Sequence, residues 1–90
     1  MKYYDWSEEK NEQLKIERGI SFEEIQIAMN GNLLDVIFHP NQKKYPGQRM
    51  YVVKIENYVY IVPFVEDEEK IFLKTIYPSR AATKKYLINR

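Results

Sequence analysis

Met50-Tyr51-Val52-Val53-Lys54-Ile55-Glu56-Asn57-Tyr58-Val59-Tyr60-Ile61-Val62-Pro63-Phe64-Val65 is the stretch that decides the fold. Two runs of β-branched and aromatic residues, 50–55 and 58–65, flank a two-residue break. Such side chains suit a pleated, half-buried surface, so both runs read as strands. Asn57 tolerates positive φ, which makes Glu56-Asn57 the expected turn. Pro63 has no backbone N–H to donate and marks an edge position or a bulge.

The pattern extends in both directions. On the N-terminal side, residues 39–47 hold two prolines and a glycine and read as a loop. Before it, Leu34, Val36 and Phe38 alternate with Asp35 and Ile37, which predicts another strand. On the C-terminal side, Glu66 to Glu69 form an acidic turn, expected to be a solvated tip. Ile71 to Tyr77 follows as a strand. If Leu73 and Thr75 share one face, then Phe72, Lys74 and Ile76 share the other, with Lys74 a lone charge. Tyr77 precedes Pro78 and is biased towards extended geometry. Ser79 is a cap for a final helix from Arg80, apolar at Ala81, Ala82, Tyr86 and Leu87 and basic at Arg80, Lys84 and Lys85.

The front of the chain has helical period. Ser7 caps a segment with Glu8 and Glu9 in its first turn, where the helix dipole favours acids. This helix runs to about Glu17, largely solvated, with Leu14 and Ile16 as its apolar anchors, and Gly19 stops it. Ser21-Phe22-Glu23-Glu24 is a capping box, and Ile20 with Ile25 makes the hydrophobic staple. Phe22, Ile25, Ala28 and Met29 give one apolar face before Asn30-Gly31-Asn32 ends the helix. Tyr3-Tyr4-Asp5-Trp6 is a short strand or an aromatic plug on the core. The expected architecture is α+β: two N-terminal helices, an antiparallel four-stranded meander and a C-terminal helix, in one domain over residues 1–90.

Composition removes several function classes. The 90 residues are 44% hydrophobic and 30% charged, the balance of a globular domain. No apolar run approaches the roughly 20 residues that cross a bilayer. The polar N-terminus, with three acids in its first ten positions, does not read as a signal peptide. A cytoplasmic protein with no membrane partner is expected. There is no cysteine, hence no disulfide framework, thiolate nucleophile or Cys-rich zinc site. His39 is the only histidine, and no Gly-x-Ser-x-Gly elbow exists. Three glycines are too few for the Walker or Rossmann phosphate loops.

Charge is unevenly spread. Residues 1–35 carry net −4, residues 36–65 net +3 and residues 66–90 net +2, with no acid from Ile71 to Arg90. An acidic front and a basic back suggest a polyanionic or acidic partner at the back. Arg49, Lys54, Lys74, Arg80 and Lys84 are interleaved with tyrosines 51, 58, 60, 77 and 86. Arg80 and Lys84 share a helix face at i,i+4. Cations hold phosphates and tyrosines stack on bases, so a basic sheet face for nucleic acid is one reading. Tyrosines in the core and solubilising surface cations are the other.

Three segments carry a resemblance. Tyr4-Asp5-Trp6 with Ser7 to Asn11, Gly19 to Glu24, and Lys74-Thr75-Ile76-Tyr77-Pro78-Ser79-Arg80-Ala81-Ala82-Thr83-Lys84-Lys85-Tyr86 resemble, in order, motifs of the BrnT family of bacterial toxins. Arg18 stands where that family has a histidine, and Pro78 is inserted in its C-terminal motif. The resemblance implies a RelE-like fold and the toxin of a type II toxin–antitoxin system, a ribonuclease that inhibits translation. It implies a DNA-binding, BrnA-like antitoxin in a hetero-oligomer, and an RNA substrate, free or on the ribosome. Arg80 is the matched arginine.

Metal-free RNA cleavage requires deprotonation of the 2′-hydroxyl, protonation of the leaving 5′-oxygen and stabilisation of the phosphorane. No cofactor or metal is expected. Arg80 and Lys74 are the candidates for the phosphorane, and Tyr77 or Tyr86 for the acid or base. Arg49, Lys54, Lys84 and Lys85 are the candidates for RNA binding. An ion pair from Arg80 to the Asp35 or Glu24 region is the structural alternative for that arginine. A non-catalytic module that docks an antitoxin or another acidic partner is the alternative function.

Overall fold

The computed structural model describes residues 2–88. Its elements in chain order are β1 (Tyr3–Asp5), α1 (Glu8–Arg18), α2 (Phe22–Ala28), β2 (Leu33–Phe38), β3 (Arg49–Ile55), β4 (Tyr58–Glu66), β5 (Lys70–Leu73), β6 (Tyr77–Pro78) and α3 (Arg80–Thr83). A wider π-type turn, Lys84–Ile88, continues α3. The class is α+β, and among the described residues no helix is long and apolar enough to cross a membrane.

Both N-terminal caps form as their residues dictate. Ser7 Oγ accepts the Lys10 amide, and Gly19 closes α1 at φ 65°. Ser21 and Glu24 complete the reciprocal capping box of α2. Leu14 is fully buried, but Ile16 is 84% exposed, so α1 has one of its two expected anchors. Asn11 supplies the second tie. Its Oδ1 accepts the Phe22 amide at 2.8 Å, and its Nδ2 donates to Glu23 Oε1 at 2.8 Å.

The expected four-stranded antiparallel meander is present as β2–β3–β4–β5, but it is part of a mixed six-stranded sheet ordered β1-β5-β4-β3-β2. The aromatic start is a strand, β1, paired parallel to β5 with Tyr4 opposite Ile71. The 71–77 run is not one strand. β5 pairs with Phe64–Glu66, β6 pairs with Tyr60–Ile61, and residues 74–76 leave the ladder between them.

Pro63 explains the interruption. His39 donates to the Gln48 carbonyl, so the backbone groups of Met50, two residues on, also face β2. Pro63, opposite Met50, therefore turns its backbone towards β5 and β6. It has no N–H to offer there, and its carbonyl accepts the Lys74 amide at 2.9 Å. The break shifts the side-chain period, so Leu73 and Ile76, three apart, are both buried in one core. Simple alternation places them on opposite faces. The turn at 56–57 also differs in detail: Glu56, not Asn57, holds positive φ, at 58°.

Both faces of the sheet are covered over β3 and β4, while β2 stays largely exposed. Leu14, Ile20, Phe22 and Ile25 from the N-terminal helices pack on Tyr51, Val53, Val62, Phe64, Leu73 and Ile76. On the other face, Met50, Val52, Val59 and Ile61 lie under Tyr77, Ala82, Tyr86 and Leu87. Burying these apolar side chains supplies most of the driving force, about 25 cal/mol per Å². The two covered faces leave no open basic sheet face. Arg49 and Tyr51 point one way, Lys54 the other, and Tyr51 is buried against Phe64 at a ring distance of 4.0 Å.

Candidate functional site

The C-terminal segment is locked to the start of β4 by two hydroxyl residues. The Ser79 amide donates to the Val59 carbonyl at 3.0 Å, and Ser79 Oγ accepts the Ala82 amide at 3.0 Å. Thr83 Oγ1 accepts the Val59 amide at 2.9 Å and donates to the Ser79 carbonyl at 2.8 Å. This lock fixes where Arg80 and Lys84 emerge. With Tyr58, Thr83 and Ile88 they line an open cleft of about 330 Å³. Neither cation makes an ion pair among the described residues. The expected alternative, Arg80 paired to Asp35 or Glu24, is not formed. The Tyr58 ring meets Tyr60 edge-on at 6.0 Å.

Tyr77, Lys85 and Tyr86 line a second cleft of about 270 Å³ beside Ser79, Ala81 and Ala82. The Tyr77 hydroxyl lies 3.7 Å from Met50 Sδ, and burial pushes its pKa up. Tyr86 donates to Asp35 Oδ2 at 2.7 Å. That hydrogen bond raises the Tyr86 pKa and lowers that of Asp35. Asp35 Oδ1 in turn accepts the Val36 amide at 2.8 Å. The Lys85 ammonium sits 5.3 Å from the centre of the Tyr86 ring.

Lys74 and Arg49 lie elsewhere. The Lys74 amide binds the Pro63 carbonyl, whereas Ser79, next to Arg80, binds Val59. Four residues of strand separate those anchors, about 13 Å. Lys74 Nζ is 3.4 Å from Oε1 of the buried Gln48. Arg49 is ion-paired to Glu66, which also binds Lys2, and its guanidinium lies 5.1 Å over the Phe64 ring. Lys54 is partly buried in β3, its amide bonded to the Asn32 carbonyl. Of the eight candidate residues, the fold thus brings Arg80, Lys84, Lys85, Tyr77 and Tyr86 around one helix and leaves Lys74, Arg49 and Lys54 outside. The acidic tip is a local turn: Asp67 Oδ1 accepts the Glu69 and Lys70 amides.

Thr83 and Asp35 join this constellation without a clear sequence signal, whereas Tyr58 is one of the tyrosines interleaved with the cations. Thr83 stands at i+4 from Ser79, a spacing that signals a shared helix face, though not its bond to β4. Asp35 is the one acid in its strand. Tyr58 reaches the cleft only because β4 begins beneath α3. Comparison with protein-family models, with curated proteins and with solved structures finds no match.

Proposed function

We propose that the chain is the toxin of a type II toxin–antitoxin pair, RelE-like in fold, acting in the cytoplasm as a metal-independent endoribonuclease that inhibits translation. Its partner on this reading is a DNA-binding, BrnA-like antitoxin, in a hetero-oligomer. The ordered resemblance motivates the reading. The observation that carries it is the pair Arg80 and Lys84, one helical turn apart, without ion-pair partners among the described residues and beside Tyr58. Two unpaired cations and an aromatic ring form a minimal site for a phosphate and a stacked base.

Arg80 and Lys84 stabilise the phosphorane charge in this scheme. The 2′-hydroxyl gives its proton to solvent water. Tyr86, reaching over from the neighbouring cleft, gives its own to the leaving 5′-oxygen once its hydroxyl leaves Asp35 Oδ2, to be reprotonated by water afterwards. Lys85, beside Tyr86, holds a flanking phosphate. Lys74 and Arg49 have no part in the chemistry, because they line neither cleft. The second reading, a non-catalytic docking module, is favoured by a specific observation: Arg80 and Tyr86 line different clefts on two sides of one short helix.

Inducible expression in a bacterial host separates the readings. Growth and amino-acid incorporation are followed for the wild type and for Arg80→Ala/Lys84→Ala, with folding checked by circular dichroism. Arrest by the wild type alone supports the ribonuclease and its site. Arrest by both rejects the site. No arrest by a folded, abundant wild type leaves the docking module.

A further inference from the structure

β2 ends the sheet, and among the described residues nothing pairs with its outer edge. Edge strands with apolar side chains are ready templates for a further strand. Leu34, Val36 and Phe38 are 37%, 41% and 65% exposed. The ladder tells which backbone groups are free. His39 donates to Gln48 across β2–β3, so Ile37 and Asp35 also bond inward, and the N–H and C=O groups of Val36 and Phe38 point out. The Val36 N–H is held meanwhile by its neighbour's carboxylate, Asp35 Oδ1.

Charge around this edge is mostly positive, and Asp35, the one acid within β2, is already engaged by the Tyr86 hydroxyl and the Val36 amide. From Val36 to Ile55 the chain has four cations and no acid. Arg49 is neutralised by Glu66, but Lys43, Lys44 and Lys54 make no ion pair among the described residues. Lys43 and Lys44 follow one end of β2, and Lys54 is bonded through its amide to Asn32 at the other. A second copy added antiparallel would bring Lys43 and Lys44 of one chain towards Lys54 of the other. Like charges there oppose self-pairing.

We infer that the free edge of β2 accepts an acidic, extended segment of another protein as a seventh strand. The main-chain groups of Val36 and Phe38 supply the ladder bonds, and Asp35 releases the Val36 N–H as the strand arrives. Alternate apolar side chains of the incoming segment pack on Leu34, Val36 and Phe38, and its acids meet Lys43, Lys44 and Lys54. The inference does not depend on RNA cleavage, and its assay contains no RNA.

The probe is a capped, fluorescent seven-residue peptide alternating valine with glutamate, titrated by anisotropy against the full chain. A peptide alternating valine with lysine is the comparator. The glutamate peptide is expected to bind, more weakly as salt rises, and the lysine peptide not to bind. Val36→Pro removes an outward N–H without touching the β2–β3 ladder, and is expected to raise Kd about tenfold or more. Phe38→Glu, at a well-exposed position, provides the second variant should the proline disturb folding, with the same expected loss. No binding by the folded wild type, equal binding of the lysine peptide, or affinity unchanged in both variants would overturn the inference. So would sedimentation of the chain alone as a dimer that Phe38→Glu dissociates.

Discussion

Replacing Asn11 by alanine tests how the helical layer is held. Asn11 is fully buried in α1 and bonds to two successive residues at the start of α2. Alanine leaves the Phe22 amide buried without an acceptor and removes the donor to Glu23. An orphaned buried donor costs about 1–3 kcal/mol, and the lost bond to a largely solvated carboxylate adds less than a buried one would. The expected loss is about 2–3 kcal/mol in all. For a domain of this size that lowers Tm by roughly 8–24 °C. Urea unfolding followed by far-ultraviolet circular dichroism measures it, as a lower midpoint at unchanged slope.

The same variant has a pH signature. The Asn11 hydrogen bond is the main cause that holds the Glu23 carboxyl below its ordinary value of 4.5. A depressed carboxylate contributes stability above that value and loses it as pH falls through the folded-state pKa. Wild-type stability should therefore fall more steeply below about pH 4.5 than that of Asn11→Ala. Asn11→Asp keeps the acceptor for Phe22 but sets a second carboxylate beside Glu23, so it should be least stable near neutrality and recover on acidification. A loss in Asn11→Ala below about 0.5 kcal/mol would refute the claim that this amide joins the two helices.

Burial pushes the Tyr51 phenol up to about 12. Because the raised group is neutral below its unfolded value, stability should be intact below pH 10 and fall between 10 and about 12. Tyr51→Phe should flatten that decline in alkaline unfolding curves. Leu73→Ala empties a fully buried position beside Phe64, and chemical denaturation should show a loss of about 2–5 kcal/mol. Arg80→Ala/Lys84→Ala should weaken binding of a single-stranded oligoribonucleotide and flatten log Kd against log salt by about 0.7 for each phosphate no longer neutralised. Lys74→Ala should leave that slope unchanged, since the β4 residues anchoring its amide and that of Ser79 are about 13 Å apart.

Local chemistry was legible in the residues themselves. Ser7, Gly19 and the Ser21–Glu24 box set the helix ends, because each satisfies backbone groups within a few residues of itself. The β-branched and aromatic runs of 50–55 and 58–65 named their strands, and their short separation made them antiparallel neighbours. Pro63 read as an edge position or a bulge, but it lies in an interior strand whose pairing with β3 is regular, and its missing N–H shows only on the β5–β6 side. Ser79 announced the start of the helix that carries Arg80.

Long-range placement was decided only by the assembled sheet. That the aromatic start would lie parallel to β5 is a partnership across more than sixty residues, with no local signal. The 71–77 run alternates convincingly on paper, yet it breaks at 74–76, where it meets the proline of another strand. Lys74 and Arg80 were a pair in sequence and became neighbours of different β4 residues. The union of Tyr86 with Asp35, and the unpaired apolar edge of β2, arise from which strands fall last in the order. Caps and periodicity are properties of a few adjacent residues, whereas a cleft or an edge depends on strand order and register. That order minimises buried unpaired backbone and exposed apolar surface over the whole chain at once.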